Sequence, residues 1–315
     1  MSNETDSWTQ YWQAGQKTTF GSVADFRENP SLKGLWANLL KADLGGKFLE
    51  IGCGNGALSL LLLQLADEWN ATIDIHAIDS AKINNDTEQS DQLQFYSEMP
   101  VESMTFDDGV FDGAVSHFGF EYAALDAAIN ETHRVLKPGA VLTLISHHRS
   151  SWLSRESFDI LRQLIDIEKS ELLITQEKLL FRLNHLNSQS LDPSQDEQAE
   201  QLRGRLNETA EALQTSSKAS AFDPTFTLQV ITSALRAFKP EHRNGKSPLE
   251  YLSMLNASLS SHAMRLQTHK KAALSDEEWL DGKAKLSDAG FTIKRFEPAV
   301  MNGYHYGQLI QAVRD

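Results

Sequence analysis

The chain has 315 residues, 41% of them hydrophobic, with 29 basic and 43 acidic side chains and a formal net charge of −14. That length can bury a sizeable core, while the acidic balance opposes sustained contact with a phosphate backbone, so no nucleic-acid partner is expected. A single cysteine, Cys53, excludes an internal disulfide framework, and no apolar run approaches the ~20 residues that span a bilayer, so a cytoplasmic protein with no membrane partner is expected.

The opening fifteen residues are polar and aromatic, unlike a charged-then-apolar leader. Trp8, Tyr11, Trp12 and Phe20 form an aromatic segment there, read either as a lid in which Tyr11 closes over a bound molecule or as a docked amphipathic helix. Next, Phe48-Leu49-Glu50-Ile51 reads as an apolar strand ending near an acid. Gly52-Cys53-Gly54-Asn55-Gly56 then opens into a helix over 58–65. Glycines let the backbone turn tightly and approach a ligand without Cβ atoms, and the helix start offers free N–H groups. Cys53 is expected to contribute its backbone only.

The spacing of Gly52, Gly54 and Ala57 also satisfies a dinucleotide fingerprint, so the glycines by themselves leave a nicotinamide-dependent reductase open. Glu50 separates the readings. A carboxylate just before the loop opposes a diphosphate but suits a ligand carrying an ammonium group, as S-adenosylmethionine does. Residues 72–78 alternate and then turn apolar as a strand would, and Asp79 at their tip can take both hydroxyls of a ribose, with Ser80 beside it. A short strand is expected over 93–96, another over 113–117, a helix over 123–136 and a strand over 141–146.

Four ordered pieces, the acid-glycine loop, Asp79, the segment 102–112 and Arg134-Val135-Leu136-Lys137-Pro138-Gly139 before a strand, resemble the class I S-adenosylmethionine-dependent methyltransferases, particularly the branch acting on small molecules. The resemblance covers 47–147 and, more loosely, the last forty or so residues, where 291–297 and 306–313 read as two closing strands. It implies an α/β, Rossmann-like, doubly wound seven-stranded sheet, S-adenosylmethionine as cofactor and a small-molecule methyl acceptor as partner. Pro100 stands where the family usually has an aspartate for the adenine amino group. Val101 and Glu102 are therefore expected to hold the ring edge through their backbone, with Met99 or Met104 against its face.

The resemblance leaves residues 150–275 over, where glycine is scarce and leucine recurs at helical spacing. One or two helices are expected from Phe158 to Leu183, then others over 198–213, 225–238 and 248–269. The whole is an insertion between the fifth and sixth strands. The expected organisation is an aromatic segment and cofactor-binding core over 1–150, a helical insertion over 151–275 serving as substrate lid or homodimer interface, and a closing helix with two strands over 276–315.

Candidate acceptor-side residues follow the fourth and fifth strands: Ser116 toward the cofactor, and His117, Glu121, Tyr122 and His147 as catalytic candidates. A histidine near its reference pKa of about 6.5 suits proton removal, although a packed histidine is as good a reading. No metal is expected, because adjacent His147 and His148 point apart and lack companion ligands. The expected activity is methyl transfer to an oxygen, nitrogen or sulfur atom of a small molecule. The alternatives are the reductase and a noncatalytic S-adenosylmethionine-binding module that recruits a protein.

Overall fold

The computed structural model describes residues 2–16, 29–41, 43–84 and 90–315, and Phe20 of the expected lid lies outside them. The chain forms two compact units, one of residues 1–155 and 268–315, the other of 156–267. The divisions fall inside two long helices, α5 (Trp152–Lys169) and α9 (Pro248–Ala272), near the expected limits of 150 and 275.

The first unit holds seven strands: β1 (Gly46–Ile51), β2 (Ile73–Ile78), β3 (Leu93–Tyr96), β4 (Phe111–His117), β5 (Leu136–Ser146), β6 (Phe291–Met301) and β7 (Tyr304–Arg314). Their order is β3-β2-β1-β4-β5-β7-β6. The first five are parallel, and β7 enters antiparallel between β5 and β6. Central β1 is buried on both faces, hence its nearly unbroken apolar run. Phe48 and Leu49 point to opposite sides, into two separate apolar clusters. One is roofed by α2 (Pro30–Leu40) and α3 (Ala57–Glu68), the other by α4 (Leu125–Val135) and α10 (Asp276–Asp288).

Strand order reverses direction about β1, with β2 on one side and β4 on the other, which opens a crevice at their carboxyl ends. Register brings the tips level: Ile51 pairs with Ile78 and with Ser116, and His117 pairs with Ile145. Glu50, Asp79, His117 and His147 thereby lie along one edge. The helix expected over 123–136 is shorter than its pattern, because Leu136 already pairs with Phe111 as the start of β5, and the Lys137-Pro138-Gly139 turn is absorbed as an irregularity in that pairing.

The second unit is helical: the latter part of α5, α6 (Leu172–Ser188), α7 (Glu197–Ser217), α8 (Phe226–Leu235) and most of α9. The leucine-rich stretch resolves into two helices, because Glu171 adopts a left-handed conformation (φ 56°) that ends one and starts the next. Leu172, Leu179 and Leu186 on α6, and Leu206 and Leu213 on α7, recur at intervals of seven within each helix and close a common core. No helix among the described residues is long and apolar enough to cross a membrane.

Candidate functional site

The glycine loop turns between β1 and α3. At Gly52 (φ 71°) an added Cβ would lie 2.7 Å from the Gly119 Cα, so the turn after β1 and the turn after β4 touch backbone to backbone. At Gly54 (φ 52°) the same atom would strike the Trp12 ring at 2.6 Å. Gly56 is the N-cap of α3, and Cys53 is buried with its thiol on the Gly54 carbonyl at 3.4 Å.

Asp79 is nearly buried and joins the two strand tips. Its carboxylate accepts the Gly54 N–H and the Ala81 N–H, each at 2.8 Å and each on a different oxygen. Each oxygen keeps a lone pair. Burial raises its pKa to about 6 despite those two bonds. Glu50, only 2% exposed, accepts from the Ser59 hydroxyl, and burial with the nearby Asp79 charge raises its pKa to about 8. Among the described residues, no cation contributes to the environment of either carboxyl. Ser80 is exposed beside them, and Val101 and Glu102 form a 3₁₀ turn in which the Glu102 carboxylate accepts the Ala124 N–H at 2.9 Å.

Helix α1 (Ser2–Gln13) lies across these tips. Beyond the Trp12 contact, Asn55 donates to the Trp12 carbonyl at 2.9 Å, the Lys82 N–H donates to the Thr9 hydroxyl at 3.1 Å, and Gln13 donates to the Ile83 carbonyl at 2.9 Å. Tyr11 packs edge-on against Trp8 and Trp12, and Trp8 reaches Tyr122 with ring centroids 5.8 Å apart. The aromatic segment is thus a helix docked against the glycine loop and the turn after β2.

The fourth and fifth strand tips carry the remaining candidates. The Ser116 hydroxyl donates to the Ile51 carbonyl at 2.8 Å and accepts the Phe120 N–H at 3.0 Å, a brace between β1 and the turn after β4. His117 receives the Trp36 indole N–H on Nδ1 at 3.4 Å, which leaves Nε2 to donate to the Tyr306 hydroxyl at 3.0 Å. Burial lowers its pKa to about 3. A neutral ring with both nitrogens engaged positions its neighbours better than it removes protons near neutrality.

His147 lies between two rings, parallel to Phe118 at 4.0 Å and to His269 at 3.8 Å. Phe118 has φ +59°, a conformation costly for a bulky side chain. Glu121, 4% exposed, accepts the His147 N–H on Oε1 at 2.6 Å, and burial raises its pKa to about 7. Burial likewise pushes the Tyr122 phenol up and the His147 imidazole down. His117, Glu121, Tyr122 and His147 are therefore brought together. His269, Tyr306 and Trp36 join them from distant positions, and only Tyr306, in an aromatic-rich hairpin, carried a local signal.

Residues 49–144 match the methyltransferase domain family. Among curated proteins, a 2-phytyl-1,4-naphtoquinone methyltransferase of Nostoc punctiforme is 31% identical over 118 residues, which cover 35% of this chain and 50% of that protein. An uncharacterised methyltransferase of Synechocystis is 31% identical over 138 residues, covering 42% and 62%. The chain thus spans between half and two thirds of the length of these relatives. Among solved structures, a geranyl diphosphate C-methyltransferase from Streptomyces coelicolor aligns at 15% identity over 45% of this chain and 64% of that one, with a TM-score of 0.34.

Proposed function

On the premise that residues 49–144 form a class I methyltransferase domain, we propose that the chain transfers a methyl group from S-adenosylmethionine to a small molecule. The observation that carries the reading is Asp79, which fastens the glycine loop to the tip of β2 and keeps a free lone pair on each oxygen, beside the buried Glu50. That donor set fits the cofactor: Asp79 for its ribose hydroxyls, Glu50 for its ammonium group, the Gly52–Gly54 turn for close approach, and the backbone of Val101 and Glu102 for the adenine edge. When bound, the group supplies an electrophilic methyl on a sulfonium.

The chain's own residues then align the acceptor, exclude water and manage its proton. Alignment of two reactants contributes on the order of 7–11 kcal/mol, more than a single base supplies. Helix α1, with Tyr11 and Trp12 over the loop, serves to exclude water. Rings of Phe118, Tyr122, His147 and Tyr306 at the β4 and β5 tips favour a flat, apolar acceptor, in keeping with a relative named for a naphthoquinone. Phe181, 70% exposed on α6, supports pairing of two copies through the helical unit. Sedimentation of the purified chain as a monomer at every concentration removes that pairing.

Calorimetric titration with S-adenosylmethionine, S-adenosylhomocysteine and NADH tests the central claim. The two adenosyl amino acids should bind and NADH should not. Preference for NADH overturns the reading in favour of a reductase, and binding without label transfer to any component of a cell extract favours a noncatalytic module.

A further inference from the structure

Three buried polar atoms at the tips of β4 and β5 lack a well-formed hydrogen bond: Glu121 Oε2, Ser146 Oγ and His147 Nδ1, the Ser146 hydroxyl lying near enough to the Glu121 carboxyl only to favour its ionised form weakly against burial. Buried polar atoms are nearly always paired, because each orphan costs roughly 1–3 kcal/mol. Three within consecutive turns of one site mark the place where a ligand's polar group belongs. The surroundings hold them rigidly. The His147 N–H fixes Glu121 Oε1, Phe118 and His269 clamp the His147 ring, and the Trp279 indole donates to the His147 carbonyl at 3.3 Å. Phe118 stacks there from a left-handed backbone conformation, φ 59°.

Charge narrows the ligand. The titratable groups facing Glu121 and His147 are Tyr122, His117 and His269, with Tyr306 behind His117, and burial depresses all three imidazoles so that they are neutral near pH 7. No lysine or arginine among the described residues contributes to the environment of Glu121. An anionic acceptor would meet a carboxyl with no described cation to offset it, whereas a hydroxyl or N–H would donate to Glu121 Oε2, which the Ser146 hydroxyl only approaches.

Resting on the methyltransferase reading, we infer that Glu121 Oε2 receives the proton of an uncharged acceptor that arrives with its nucleophilic atom still protonated. The acceptor's heteroatom bonds the methyl carbon as the carbon–sulfur bond breaks and its electron pair returns to sulfur. The acceptor's proton passes to Glu121, so the positive charge lost at sulfur leaves as that proton. A pKa of about 7 leaves a substantial fraction of Glu121 ionised near neutrality and ready to accept it.

The test uses the full chain saturated with S-adenosylhomocysteine and two probes of matched shape, p-cresol and p-toluate, followed by ligand-observed NMR. The wild type should bind p-cresol at least about tenfold more tightly than p-toluate. Glu121→Gln keeps a carbonyl for the His147 N–H but presents N–H donors in place of Oε2, so the preference should shrink or invert while S-adenosylhomocysteine affinity stays unchanged. Equal binding of the two probes by the wild type, binding of neither, or a preference that survives Glu121→Gln overturns the inference. If S-adenosylhomocysteine itself does not bind, the underlying methyltransferase reading falls, and the inference with it.

Discussion

The two units handle polarity in opposite ways. In the sheet unit Glu50, Asp79, Glu121 and His147 are buried or nearly so, and no lysine or arginine among the described residues contributes to the environment of any of them. In the helical unit the charges pair at the surface, as in Arg182–Asp196 at 2.5 Å and Arg162 with Asp159 and Asp166. Its buried polar groups are mostly amides and hydroxyls: Gln163 bridges the Asp223 carbonyl and the Thr227 hydroxyl, and Gln176 donates to the Ala234 carbonyl, while His262 is the one imidazole there that burial depresses, to about 4. Burying an unpaired ionisable group costs stability that a purely structural element has no reason to spend. The contrast is thus one of buried carboxyls, which gather at the strand tips of the sheet unit, while the acids of the helical unit pair with arginines at its surface.

The largest expected effect on that contrast comes from Gly52→Ala. A left-handed conformation costs a non-glycine residue about 1–2 kcal/mol, and the new Cβ meets backbone at 2.7 Å rather than a movable side chain. Destabilisation of the sheet unit by about 3 kcal/mol or more is expected in denaturant unfolding. A loss below about 1 kcal/mol would mean that the two turns are not held together as described. Next comes Asp79→Ala, which removes charge-assisted bonds of about 1.5–3 kcal/mol each, so S-adenosylhomocysteine should bind at least about tenfold more weakly by calorimetry. The Gly54 N–H also loses its acceptor, so some loss of stability accompanies the change.

A third experiment compares the units by pH. Glu50 at about 8 and Glu121 at about 7 lie above their unfolded value of about 4.5, so the folded sheet unit holds more protons than the unfolded chain between those limits. The contribution of these two carboxyls is fully present below about 4.5 and is lost as pH rises through their folded values, by about 1–2 kcal/mol per unit between 6.5 and 8. Below about 6.5 the depressed histidines act with the opposite sign, because the unfolded chain then takes up protons that the fold refuses. In the helical unit Asp196, lowered to about 2 by Arg182, gives stability that is present above the unfolded value near 3.8 and lost only as pH falls through 2. Hydrogen exchange should therefore show amides of β1 and β4 losing protection from pH 6.5 to 8 while those of α6 and α7 hold. Equal loss in both units would contradict the assignment of the unpaired carboxyls.

These differences explain what was legible in the residues alone. The glycine loop, Asp79 and the parallel strands are local: each is written in a few consecutive residues whose pattern has few other uses. The divided helices α5 and α6 were only half legible, because Glu171 carries no glycine or proline to announce the break. Least legible was the surrounding of His147. His269 stands in sequence beside Lys270 and Lys271, where it reads as part of a basic helix end, and only the tertiary fold turns it onto His147. The engagement of Ser116 and of the Glu102 carboxylate within the protein was equally out of view, since side chains at a strand tip can serve a ligand or a neighbouring turn with the same chemistry.

The smallest effect, and the sharpest control, is Gly204→Ala in α7. This glycine lies inside a 21-residue helix, and an added Cβ there meets nothing within 4 Å. Its backbone needs no left-handed conformation, so the methyl group costs nothing in the fold and narrows the conformations open to the unfolded chain. Stability should rise by about 0.5–1 kcal/mol, read as a higher denaturant midpoint for protection of α6 and α7. The same substitution thus carries opposite signs at Gly52 and Gly204, one a turn that a binding site requires and the other a helix interior that merely tolerates it. A decrease at Gly204 would mean that the exposed face of α7 is covered by a partner, and the helical unit would then need an occupant in its account.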